Sequence, residues 1–235
     1  ALKIIAMKRQ LVITAAVLLL GCAAAFAQKK VSILGDSYST FQGYVTPGSN
    51  DCWYFGNGKN ADSRNTLETV EQTWWYRLVH GHGMELDVNN SWSGTTVCLT
   101  GYRGEDASDR AFITRMFNLG NPDIILVFGG TNDSWAGSPV GEYRYKDWKK
   151  ADLYAFRPAF AYMLHSLQRL YPDTEVYCIT NSELSDAITG SIDTICRHYG
   201  VKNIMLHDIH KQGGHPSAEG MESISRQVWD AISGN

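Results

Sequence analysis

The chain is 235 residues long, 44% hydrophobic and 19% charged, with a formal net charge of −3. That composition fits one globular domain with a full core. The mild acidic balance and the lack of any basic cluster argue against nucleic acid as a partner.

The first 27 residues read as a leader. Residues 1–6 lie upstream of a candidate initiator, Met7, which opens the short basic segment Met7-Lys8-Arg9. The apolar stretch from Leu11 to Leu20 is too short for an ordinary membrane span. Ala25-Phe26-Ala27 is an A-x-A cleavage site before Gln28. Leu19-Leu20-Gly21-Cys22 offers the alternative of a lipid anchor at Cys22, although Leu20 fits that pattern poorly. The expectation is an exported protein, periplasmic or extracellular, with a single domain over residues 28–235 and neither internal repeat nor linker.

Beyond the leader, apolar runs alternate with helix-period segments, the mark of βαβ units and a parallel sheet. Strands are expected at about 30–35, 85–90, 123–129, 174–180 and 203–207. Residues 41–67 are rich in Gly, Asn, Ser and Asp and show no clear helix or strand. Trp53, Tyr54 and Phe55 argue against disorder there, so an ordered loop beside Ser37 is expected. Thr69-Val70-Glu71-Gln72 is a capping box. It opens a helix through Trp74, Trp75, Leu78 and Val79 that stops at Gly81. A second helix carries Phe112, Ile113, Met116 and Phe117. An aromatic loop from Trp135 to Trp148 comes next. A third helix carries Leu153, Phe156, Phe160, Met163, Leu164 and Leu167, with Pro158 marking its start or a kink. A fourth carries Leu184, Ile188, Ile192 and Ile195 and ends at Gly200. The last begins at Ser217, a good N-cap, and runs to Ile232.

Cys52, Cys98, Cys178 and Cys196 permit two disulfides in an exported chain. Cys178 ends a strand and Cys196 lies on the apolar side of the next helix, so the two fit equally well as buried thiols. The cysteine spacings match no metal motif. His207, Asp208 and His210 lack the third His or Cys of a zinc spacing. No metal or other cofactor is expected.

Four short segments each follow an apolar run: Gly35-Asp36-Ser37, Asn90-Ser91-Trp92-Ser93-Gly94, Gly130-Thr131-Asn132-Asp133 and Gly214-His215-Pro216. In a parallel sheet such positions meet at the carboxyl edge, where open α/β folds place their ligands. A serine, a histidine and an amide would converge there, the parts that acyl transfer requires. Gly129 and Gly130 let backbone approach a ligand, and Asn132 offers a side-chain NH2. Pro216 holds His215 in extended backbone between a glycine turn and a capped helix.

On these segments the chain resembles the SGNH hydrolases, or GDSL esterases, over residues 31 to about 221. The family's nucleophilic Ser, oxyanion Gly and Asn, and base His correspond here to Ser37, Gly94, Asn132 and His215. The resemblance implies a three-layer α/β/α sandwich with a flavodoxin-like five-stranded parallel sheet. It also implies a metal-free serine mechanism and esterase activity on acylated sugars, lipids or small esters. One departure stands out. The family places an Asp three residues before the His, and this chain has Gln212. Gln212, Asp208 or a main-chain carbonyl is then left to orient the imidazole.

A small acyl group on carbohydrate is the favoured substrate, with Trp53, Tyr54, Trp92 and Trp135 as candidate binding residues. A lipid esterase or lysophospholipase is the alternative enzyme. A non-catalytic glycan-binding protein on the same fold is the alternative from another class.

Overall fold

The structure, a computed structural model, describes residues 28–56 and 67–234. The leader, Cys22 and residues 57–66 of the long loop lie outside the described residues. Five strands form one parallel sheet: β1 (Lys30–Gly35), β2 (Glu85–Ser91), β3 (Ile124–Phe128), β4 (Glu175–Thr180) and β5 (Lys202–Met205), in the order β2-β1-β3-β4-β5. Each expected strand is present within one or two residues of its expected ends.

Side chains on a strand alternate between faces, and the two cores follow that alternation. Ile125 and Val127 of β3, with Leu34 of β1, bury on one face against α2 (Phe112–Arg115), α4 (Phe156–Leu170) and α5 (Asp186–Tyr199). Ile124, Leu126 and Phe128 of β3, with Val31 and Ile33 of β1, bury on the other face against α1 (Trp74–Gly81) and α6 (Ala218–Ile232). The result is the three-layer α/β/α sandwich that the resemblance implies. Among the described residues, no helix is long and apolar enough to cross a membrane.

Several local details depart from the sequence reading. The Thr69 capping box, with Gln72 Oε1 accepting from the Thr69 amide at 3.2 Å, opens a 3-10 turn over Val70–Gln72; Thr73 then caps α1. α2 is a single turn, which leaves Phe117 52% exposed. Pro158 sits in the first turn of α4, where backbone N–H groups lack intrahelical partners anyway. A short helix, α3 (Thr131–Ala136), replaces the start of the expected Trp135 loop. Residues 41–56 form the irregular loop that composition predicts. The four described cysteines are free thiols, three of them buried, so the disulfide alternative fails.

The sheet order reverses between β1 and β3, and such a switch point opens a crevice beyond the strand ends. Gly35 of β1 pairs in register with Ser91 of β2 on one side and Phe128 of β3 on the other. The segments beginning at Asp36, Trp92 and Gly129 therefore leave the sheet side by side at one level.

Candidate active site

Ser37 opens a 3-10 turn, Ser37–Ser39, directly after β1. Asp36 caps the turn by accepting the Tyr38 amide at 3.0 Å. Thr40 closes it, its hydroxyl donating to the Ser37 carbonyl at 2.9 Å. Gly35 is required because a Cβ there would lie 2.5 Å from Ser91 Oγ and 2.7 Å from Ser39 Cβ. The whole Gly-Asp-Ser turn is buried, Ser37 itself only 2% exposed.

His215 comes from beyond β5, with β3 and β4 between that strand and β1, so its segment must reach back across the sheet edge. It does so as a two-residue hairpin, β6 (Lys211–Gln212) and β7 (His215–Pro216). Gly213 and Gly214 make the turn, both at positive φ (57° and 79°), which suits the twist of a tight hairpin. Three side chains tether it. Tyr38 OH donates to the Gly214 carbonyl. Tyr54 OH donates to the Pro216 carbonyl at 2.8 Å, and Lys211 Nζ to the Ser182 carbonyl at 3.1 Å. Ser217 then caps α6 through the Gly220 amide at 3.2 Å. The outcome is His215 Nε2 at 3.0 Å from Ser37 Oγ.

The other ring nitrogen, Nδ1, lies 3.3 Å from the Gly213 carbonyl oxygen. Of the three orienting groups open to the sequence, the main-chain carbonyl is thus at hydrogen-bond distance. Asp208 turns to His207 instead, 3.0 Å from its Nδ1, with the carboxylate almost fully exposed. Trp53 stacks flat on the imidazole, centroids 3.7 Å apart and planes 7° apart. Tyr38 and Trp135 contact the ring from other directions, at 5.3 Å and 5.6 Å.

Asn132 is the second residue of α3, which starts from Gly130 at φ 94°. Its Nδ2 donates to the Thr95 carbonyl at 3.0 Å, and its Oδ1 accepts from Tyr102 OH at 2.7 Å. An amide NH2 has two hydrogens, so one N–H of Asn132 remains for a ligand. Asp133 binds the amides of Val97 and Cys98 at 2.8 and 3.2 Å, tying α3 to the segment that follows Gly94. Gly94 has φ 76°, a backbone state that demands glycine, and no heavy atom lies within 4 Å of where a Cβ would sit. Buried Arg115 binds the ends of β1 and β2 together. It donates to the Gly35 carbonyl at 3.1 Å, to Thr95 Oγ1 at 2.9 Å and to the Asn90 carbonyl.

Beneath the serine lies a buried charge set. Burial pushes the Asp36 carboxyl up to about 7, against the opposing pull of the Tyr38 amide and the Arg115 charge. Burial likewise raises Asp133 to about 6, against the amides that it accepts. Arg115 falls to about 9 through desolvation, opposed by Asp36, and remains cationic at neutral pH.

The four aromatic candidates separate. Trp53 and Trp135 flank the imidazole, and Trp135 is 44% exposed. Trp92 is half-buried on the turn before Gly94, its indole N–H on Asp51 at 3.2 Å. Tyr54 is a correction: it is fully buried in the core and anchors Pro216, so it offers no surface to a substrate. Sequence reasoning missed Tyr38, Tyr102, Arg115 and Asp133. Asp133 alone had a signal, as the last residue of Gly-Thr-Asn-Asp.

The family model for GDSL-like lipases and acylhydrolases matches residues 29–232. No curated protein sequence matches the chain significantly. Among solved structures, a candidate GDSL-like lipase from Bacteroides uniformis is 63% identical, covering 88% of this chain and 97% of its own, with a TM-score of 0.86. One from Bacteroides ovatus is 49% identical, covering 89% and 100%, also with a TM-score of 0.86. An acetyl xylan esterase from the rumen bacterium Butyrivibrio proteoclasticus is similar in fold alone. It is 14% identical over 88% of this chain and 64% of its own, with a TM-score of 0.53.

Proposed function

The chain belongs to the GDSL-like lipase/acylhydrolase family, and we propose that it is a serine esterase releasing small acyl groups, acetyl above all, from carbohydrate. The observation that carries this reading is the 3.0 Å contact between Ser37 Oγ and His215 Nε2, beside an Asn132 amide with one N–H to spare. His215 takes the Ser37 proton as the oxygen attacks the ester carbonyl. The carbonyl oxygen becomes an anion, held by the Ser37 and Gly94 amides and by Asn132 Nδ2. The tetrahedral centre collapses and the C–O bond breaks. His215 gives its proton to the leaving sugar oxygen. Water then attacks the acyl-enzyme with His215 again as base, which releases the acid and restores Ser37.

A neutral Nδ1–H tautomer is what this cycle needs, and the Gly213 carbonyl accepts from that position. Trp53 on the ring face adds a π surface against which the imidazolium is favoured when it forms. For the sugar, Trp135 offers an exposed indole beside the imidazole, and aromatic faces suit the CH surfaces of pyranose rings. The acetyl xylan esterase that shares the fold is an example of that chemistry on it. Export through the leader fits a polymeric carbohydrate as substrate.

Two measurements test the reading. A fluorophosphonate should label the protein covalently and fail to label Ser37→Ala. Acetate release from acetylated glycans should exceed hydrolysis of long-chain esters. Labelling that survives Ser37→Ala refutes the nucleophile. A preference for long acyl chains refutes the substrate class.

A further inference from the structure

We infer that Tyr102 is a positioning residue for the oxyanion site, holding the Asn132 side-chain amide and polarising it towards the reacting carbonyl. The inference rests on the proposed esterase reading and extends it to a residue that no motif marks.

Tyr102 lies on a tight excursion closed by the bridge between Thr100 and Asp106. Gly101 donates to the Glu105 carbonyl at 2.8 Å, and Glu105 returns a bond to the Tyr102 carbonyl at 3.2 Å. Arg103 and Gly104 both take positive φ, 58° and 77°, to make the turn. A positive φ at arginine is costly and persists where surrounding structure enforces it. Here Leu99 donates to the Leu153 carbonyl at 2.9 Å, and Thr100 Oγ1 to the Tyr154 carbonyl at 2.7 Å. The excursion is therefore clamped at its base and presents one ring over α3.

The ring places its hydroxyl 2.7 Å from Asn132 Oδ1. On the other side of the amide, Nδ2 donates to the Thr95 carbonyl at 3.0 Å. Thr95 decides which end of the amide is which, because a carbonyl only accepts. Tyr102 then supplies what Thr95 cannot. It restrains the amide plane, and by donating to the C=O it draws electron density off the nitrogen. That makes the remaining N–H a stronger donor, the cooperative effect of chained hydrogen bonds. The hydroxyl stays protonated for the purpose. Burial first, then the nearby Asp36 and Asp133 carboxyls, push it up to about 12. The ring is 36% exposed, so it stands at the rim of the crevice.

The test is a double-mutant cycle on Tyr102→Phe and Asn132→Ala, read as kcat and KM on an acetyl ester and as the fluorophosphonate inactivation rate. Asn132→Ala should cut kcat by about 10²–10³. Tyr102→Phe should cut kcat by about tenfold with KM nearly unchanged, and slow inactivation in step. In the Asn132→Ala background, Tyr102→Phe should cost nothing more. The phenylalanine keeps the ring, and a melting temperature within a few degrees of wild type separates the effect from misfolding. If Tyr102→Phe melts early, the side-chain NH2 resonances of Asn132 in the native protein decide. They should show a cross-peak to a slowly exchanging Tyr102 hydroxyl proton, and an NH2 group without that cross-peak overturns the inference.

Additive losses overturn the inference, as does a change confined to KM, which would make Tyr102 a substrate contact. An unaffected Tyr102→Phe beside a crippled Asn132→Ala overturns this inference and leaves the esterase reading standing. An unaffected Asn132→Ala overturns this inference and the oxyanion role of Asn132, whereas the esterase reading falls only if the wild type neither hydrolyses the ester nor takes the label.

Discussion

Asp36→Asn removes the carboxyl from the turn that carries Ser37 while keeping its shape and its cap on Tyr38. In the wild type the folded carboxyl titrates near 7 against 3.8 for the ordinary group, chiefly because it is fully buried. A folded carboxyl raised above its unfolded value binds protons that the unfolded chain has already released. Its stabilising contribution is complete below about 3.8 and is lost as pH rises through about 7. Between pH 5 and pH 8 the wild type should therefore lose about 2–3 kcal/mol that the amide variant keeps. Asp133 titrates in the same direction near 6, but it is present in both proteins and cancels to first order. Arg115, depressed to about 9, remains charged throughout the window. The assay is urea unfolding followed by tryptophan fluorescence at pH 5, 6, 7 and 8. The gap between variant and wild type should widen in favour of the variant with each step. Parallel stability curves would show that Asp36 is ionised at pH 5 in the folded protein, and the burial reasoning would fall.

Ser37→Ala should lower ester hydrolysis by roughly 10⁴-fold or more with the fold intact, read by acetate release and circular dichroism. Gly35→Ala should destabilise by about 1–3 kcal/mol, because the added carbon meets Ser91 and Ser39 inside contact distance; thermal unfolding measures it. Gln212→Ala should leave kcat within about threefold, since the Gly213 carbonyl faces Nδ1; a much larger loss would return the orienting role to Gln212.

The strands and long helices were legible because each carries its own period. Ile124 to Phe128 is a run buried on both faces, and Ile188, Ile192 and Ile195 fall on one helical stripe. The four site segments were legible for a related reason: each is a local turn following a strand, and strand ends in a parallel sheet converge. Short structures without a full period were not. α2 and α3 have four and six residues, too few to show a full period, and the end of α3 falls inside the aromatic loop expected from Trp135 to Trp148. Tyr54 was misplaced because a Gly- and Asn-rich loop looks like surface, yet its hydroxyl finds Pro216, 162 residues further on.

The residues that sequence reading missed share one property: each acts on a partner that local sequence does not reveal. Arg115 joins the Gly35 carbonyl, 80 residues away, to the Asn90 carbonyl, 25 residues away. Tyr102 meets Asn132 across 30 residues. Asp133 was visible as a letter but not as a strut, since the amides it holds lie 36 and 35 residues upstream. The Asp36 carboxyl belongs to the same group: its position in the turn is readable, while its proton affinity depends on burial under α3 and on Arg115. The proposed reacting groups sit on turns that sequence can name, and the groups that hold them come from distant parts of the chain. The amide of Asn132 has a donor on one side, Tyr102, and an acceptor on the other, Thr95, and both come from the connection between β2 and α2, at least 30 residues before it in sequence. The proposed reacting groups are therefore open to a reading of local motifs, and the groups that hold them become visible once the chain is folded.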